Sequence, residues 1–187
     1  VNDNEQPIVA IVKDKEAQNT RIELEFKKDK LPKELRGTDM AYSVSLMTDL
    51  ICDMLNNRFQ ELSVDPNATF VAGGSYYGET VKEKDAFVAV YIAKQGQETQ
   101  AYKDLLTQLE KMRRYGFTSS ELDRVKKEWL ASYEKAYNER GTVRNIRRAQ
   151  ECIRHYLDGA PMAGEEWEYK MIQQILPMVN VDMLNQV

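Results

Sequence analysis

The chain has 187 residues, 42% of them hydrophobic and 30% charged, with a formal net charge of −4. That is enough apolar material for a domain with a sizeable core, and the acidic balance argues against non-specific nucleic-acid binding. No stretch reaches the roughly 18 consecutive apolar residues of a membrane span. The opening residues "VNDNEQPIVAIVKDKEAQ" lack the basic head and long apolar run of a signal peptide. They begin with Val, as expected of a processed product or an excised segment.

Residues 8–12, "IVAIV", predict a first short strand. In "TRIELEF", residues 20–26, Ile22, Leu24 and Phe26 alternate with Arg21, Glu23 and Glu25, the pattern of a half-buried strand. A helix follows from about Thr38, with Thr38 or Asp39 as its cap. Its apolar stripe is Met40, Val44, Met47, Ile51, Met54, Leu55, Phe59 and Leu62. "ATFVAGGSYYGE" and "DAFVAVYIAK" then read as two strands joined by a charged hairpin tip. The second has no polar residue between Phe87 and Ala93, which predicts a central strand covered on both faces. Gly73 and Gly74 within the first predict a bulge or a close approach by another backbone.

A helix over about 98–115, with Tyr102, Leu105, Leu106, Leu109 and Met112 on one face, stops at Gly116. Thr118-x-x-Glu121 is a capping box opening the next helix. A fourth covers roughly 143–157 and stops at "LDGAP"; two short ones follow, over 164–176 and 180–186, separated by Pro177. The order β, β, α, β, β, α, α, α predicts an α+β fold with a mostly antiparallel sheet packed by long helices on one side. Cys52 and Cys152 each sit among apolar neighbours, which predicts buried free thiols; nothing in the sequence supports a disulfide.

Catalytic signatures are missing. His155 is the chain's one histidine, and a zinc site of the His-x-x-Glu-His kind needs two. Near a helix end, His155 reads as a residue complementing the dipole. There is no Gly-x-Ser-x-Gly elbow, and "AGGSYYGE" fits neither phosphate-binding glycine pattern. Glu165, Glu166 and Glu168 suit a helix first turn. Arg140, Arg144, Arg147, Arg148 and Arg154 read as a solvated face paired with Glu139 and Glu151, with an anionic partner as the alternative. Tyr76 and Tyr77 point to opposite faces of their strand, so one is expected in the core and the other in a groove.

In order and spacing, "MLNNRFQEL", "ATFVAGGSYYGE", "KDAFVAVYIAK", "GFTSSELDRVK" and "LPMVNVDMLNQ" resemble the M16 family of zinc metallopeptidases. This is the pitrilysin and insulinase group, and the likeness is to its processing-peptidase branch. The resemblance spans nearly the whole chain. It implies one domain, 1–187, of the M16 (LuxS/MPP-like metallohydrolase) fold, belonging to a longer multidomain chain. Without the zinc motif, it is similar to the second, non-catalytic domain: no catalytic or metal residues here, and zinc in the catalytic domain of the full protein. The implied function is to confine a peptide substrate within a zinc endopeptidase, with a non-enzymatic scaffold or interaction subunit as the alternative. The implied partners are a catalytic M16 domain, in the same chain or a partner subunit, and a peptide held as an extended strand against the sheet edge. The implied setting is the bacterial periplasm or cell envelope. Many members carry Arg-Glu and Gly-Leu-x-Tyr after the helix, where this chain reads "LSVDPNATFVAGGSYYG"; the candidate groove contacts are therefore Arg58, Tyr76 and Tyr77.

Overall fold

A computed structural model describes residues 4–186. They divide into two compact units: one holds the chain up to Lys30 with Cys52–Gly116, the other Leu31–Ile51 with the chain from Phe117 on.

In the first unit, β1 (Thr20–Asp29), β2 (Phe70–Val81) and β3 (Lys84–Ala93) form an antiparallel sheet in the order β1-β3-β2. The apolar β3 takes the centre, where polar side chains would be costly. Ile22, Leu24 and Phe26 stand beside Tyr91, Ala89 and Phe87, and these beside Gly73, Ser75 and Tyr77, so all share one face. The C-terminal half of α1 (Asp39–Ser63) covers that face: Phe59 meets the Tyr91 ring edge-on at 5.0 Å. Arg58 of α1 donates to the Gly116 carbonyl (2.8 Å) at the end of α2 (Glu98–Tyr115), which ties the two helices together. Met54, Leu55, Phe59, Tyr91 and Leu105 are fully buried between helices and sheet.

Gly73 has a packing cause. A Cβ at Gly73 would lie 2.7 Å from the Tyr91 ring and 3.2 Å from Phe59 Cβ. The approaching group is therefore an aromatic ring rather than a backbone. The irregularities in β2 fall elsewhere, between Phe70 and Ala72 and between Glu79 and Val81.

Some expectations change. The run at 8–12 is no strand among the described residues: Ile8, Val9, Ile11 and Val12 are 74–90% exposed. A five-residue apolar run has no strand of its own to pair with, and backbone pairing, not hydrophobicity, makes a strand. On α1, Met40 and Val44 are exposed while Leu46 and Leu50 are buried, so the buried stripe is rotated at that end of the helix. Tyr102 and Leu106 of α2 are likewise exposed, and Ala101, Leu105 and Leu109 are inside.

In the second unit, α3 (Ser119–Asn138) opens with the full capping box of Thr118 and Glu121 and packs on α5 (Gly164–Ile175). Leu122, Val125, Ile172, Leu176, Val179 and Leu184 form its core. Asn185, just after α6 (Val181–Leu184), accepts from the Phe117 amide (2.9 Å) and donates to its carbonyl (3.3 Å). The helix α4 (Asn145–Asp158) ends at Gly159, whose φ of 71° suits glycine. None of its residues is buried, and Cys152 is exposed, contrary to the expectation of two buried thiols; Cys52 is buried, and neither is in a disulfide. The apolar neighbours of Cys152, such as Ile153 and Tyr156, are themselves exposed.

Candidate functional site

The strand pleat sends Tyr76, Gly74 and Gly78 to the sheet face opposite the helices. There Tyr76 lies beside Val88 and Val88 beside Glu25; Gly74 pairs in the same way through Val90 to Glu23. This face carries the β3 row Ala86, Val88, Val90 and Ile92, flanked by the charged residues Arg21, Glu23, Glu25 and Lys27 of β1 and by Gly74, Tyr76 and Gly78 of β2. At the hairpin end the outer strands reach across β3, where Thr80 donates to Glu25 (3.4 Å). Ala86 and Val88 of this row are buried. A Cβ at Gly78 would meet nothing within 4 Å, so open space adjoins Tyr76.

The three sequence candidates separate. Tyr76 is 47% exposed on the outward face. Tyr77 is half-buried on the helix side, where burial and then the Asp85 charge push its hydroxyl above the ordinary range. Arg58 is also half-buried on the helix side, bonded to the Gly116 carbonyl. One contributor was not among the sequence candidates. Asn56 Oδ1 accepts from the Ser75 amide (2.5 Å) and hydroxyl (3.0 Å), and its Nδ2 donates to the Ser75 carbonyl (3.0 Å). Both backbone groups of Ser75 therefore turn away from β3 and are taken by a side chain. The outer edge of β2 is blocked at that point, and β1 is the other edge strand.

Among the described residues no group of three His, Cys, Asp or Glu side chains is placed to hold a metal. His155 is exposed in the last turn of α4, and its Nδ1 donates to the Ala160 carbonyl (2.8 Å). The residues present do not fit a zinc site. Of the arginine set, Arg148 bonds Glu165 (2.9 Å) and Glu151 (3.5 Å), Arg147 reaches Glu151 (3.8 Å), and Arg140 lies over the Tyr137 ring (4.0 Å). Glu165 is nearly buried; burial opposes its ionisation, yet a backbone amide and Arg148 hold its carboxyl below the usual range. Its neighbour Glu168 is pushed up, by burial first and then by the Glu165 charge.

No family model matches the sequence, and no curated protein matches it. Solved structures do. The first half of the periplasmic protease PqqL from Escherichia coli matches with a TM-score of 0.82 at 18% identity, over 92% of this chain and 36% of that one. A predicted insulinase family protease from Yersinia pestis matches at 0.77 and 16%, again over 92% and 36%. The peptidase M16 inactive domain from Pseudomonas fluorescens matches at 0.56 and 13%, over 89% and 37%. The chain thus spans little more than a third of each of these structures, and the likeness is one of fold.

Proposed function

We propose that this chain, which has the fold of M16 peptidase domains including inactive ones, is a non-catalytic, substrate-confining domain of a zinc metalloendopeptidase. Residues 1–187 would be one domain of a longer chain, working beside a catalytic M16 domain that carries the zinc. The periplasmic origin of PqqL supports a periplasmic setting.

The observation that carries the reading is an exposed Tyr76 on the outward sheet face together with described residues that bring no three metal-ligand side chains together. An extended peptide would add to the free edge of β1, where backbone bonds give affinity with little sequence preference. Tyr76 stands on β2, two strands from that edge, so it would meet a part of the substrate lying over the outward face, where tyrosine offers a large rigid surface with a polar tip. Tyr77 and Arg58, on the helix side, would hold the sheet and helices in place beneath. Chemistry would come from metal-activated water in the catalytic domain.

The test uses the 187-residue chain itself. Metal analysis and a fluorescein-casein cleavage assay are expected to find neither stoichiometric zinc nor turnover, and finding both overturns the proposal. Tyr76→Ala is expected to weaken casein binding by anisotropy with an unchanged circular-dichroism spectrum; unchanged binding removes Tyr76 from the role.

A further inference from the structure

We propose that a cavity in the second unit binds one cationic peptide side chain, arginine or lysine. The cavity measures about 310 Å³. That is the bottom of the roughly 300–1,000 Å³ range of small-molecule sites, a size for one side chain rather than a whole ligand. Its lining residues belong to a different unit from the sheet.

The walls are built by ordinary rules. Asp39 and Tyr42 lie three residues apart at the start of α1 and so share a helix face. Trp167 of α5 meets the Tyr42 ring edge-on at 4.9 Å and 73°. His155, Gly159 and Met162 close the cavity from the end of α4 and the turn beyond.

The charge and the aromatic rings of this lining favour a positive, donor-rich guest, with the Lys33 stem packed beside Gly159 as a neighbouring cation. Asp39 brings a carboxylate, and the lining contains no lysine or arginine. Carbonyls only accept, so His155 Nδ1, at 2.8 Å from the Ala160 carbonyl, must carry the proton. The indole and phenol rings carry negative faces, which attract a guanidinium or ammonium. The helix start does not reverse this sign: Thr38 Oγ1 already takes the Ala41 amide (3.2 Å), and Asp39 supplies the negative charge that a helix start favours. Arg36 is not a competing occupant, because it donates to the Leu31 and Asp158 carbonyls.

The experiment titrates the 187-residue chain with N-acetyl-Ala-Arg-Ala-amide, its lysine counterpart, and the citrulline isostere, following tryptophan fluorescence. Arginine and lysine are expected to bind about fivefold or more tighter than neutral citrulline. Asp39→Asn, which keeps a good helix-start residue, is expected to remove that preference and leave citrulline binding unchanged. Raising the salt to about 0.5 M is expected to weaken the arginine and lysine peptides and not the citrulline one. Equal affinity for arginine and citrulline overturns the proposal, as does an arginine preference that survives both Asp39→Asn and high salt.

Discussion

Replacing Gly73 by alanine tests the packing account of β2 directly. The added Cβ would sit 2.7 and 2.8 Å from two Tyr91 ring carbons and 3.2 Å from Phe59 Cβ. Ordinary carbon contacts begin near 3.5 Å, so the intrusion is roughly 0.8 Å. The ring has little room to retreat: it is fully buried, stacked on Phe70 at 3.8 Å and edge-on to Phe59. Overpacking of this kind costs about 1–3 kcal/mol. Loss of glycine's unfolded-state freedom returns about 0.4–1 kcal/mol, and Gly73 has no positive φ to add strain. The net expectation is a loss of about 1–2 kcal/mol. Gly74→Ala is the matched control, with only Val90 Cγ1 near the new carbon, at an ordinary 3.8 Å; it is expected to be neutral or stabilising by about 0.5 kcal/mol. Urea denaturation followed by far-ultraviolet circular dichroism measures both. A Gly73→Ala protein as stable as Gly74→Ala refutes the reasoning.

Asn56→Ala strips three hydrogen bonds from Ser75, which is itself nearly buried, and is expected to cost about 2–4 kcal/mol in the same urea assay; Asn56→Asp keeps the acceptor, loses the donor and falls between. Thr118→Ala removes the capping box of α3 and is expected to cost about 1 kcal/mol, read as a shift in the urea midpoint. Hydrogen bonds from Arg113 and Arg114 pull the Glu110 carboxyl down to about 2. A depressed carboxylate stabilises the fold above its unfolded value, and that contribution fades as pH falls through about 4 towards 2. Carboxyl NMR titration is expected to find this low value and to see it rise towards the ordinary range in Arg113→Ala/Arg114→Ala.

The sequence was most legible where local rules act alone. The bounds of α2 are those its pattern predicts, Glu98–Tyr115 with Gly116 as the stop, and the Thr118 capping box is complete. The placing of β3 at the centre followed from its unbroken apolar run. Legibility failed where neighbours decide. "IVAIV" looks like a strand, but pairing depends on a partner that no local pattern encodes. Cys152 lies among Ile153 and Tyr156, yet α4 buries none of its residues, because an apolar stripe is buried only where something packs on it. The face of each tyrosine was also out of reach: alternation separates Tyr76 from Tyr77, and only the register against Val88 and Phe87 says which faces the helices.

The run Asn56, Asn57, Arg58 beside the β2 strand shows how a site-like signature resolves into support. Asn56 occupies the backbone of Ser75, and Arg58 occupies the carbonyl that ends α2. Both polar heads are therefore spent on main chain, which fixes helix, strand and helix to one another. An unpaired strand edge invites addition by another chain, so the Asn56 contact also bars that at the middle of β2. On the proposed reading an extended segment would then enter along β1, the other edge strand, whose outward face carries Arg21, Glu23, Glu25 and Lys27. Asn56 and Arg58 thus act as supports: one closes the middle of the β2 edge, and the other holds α1 to the end of α2.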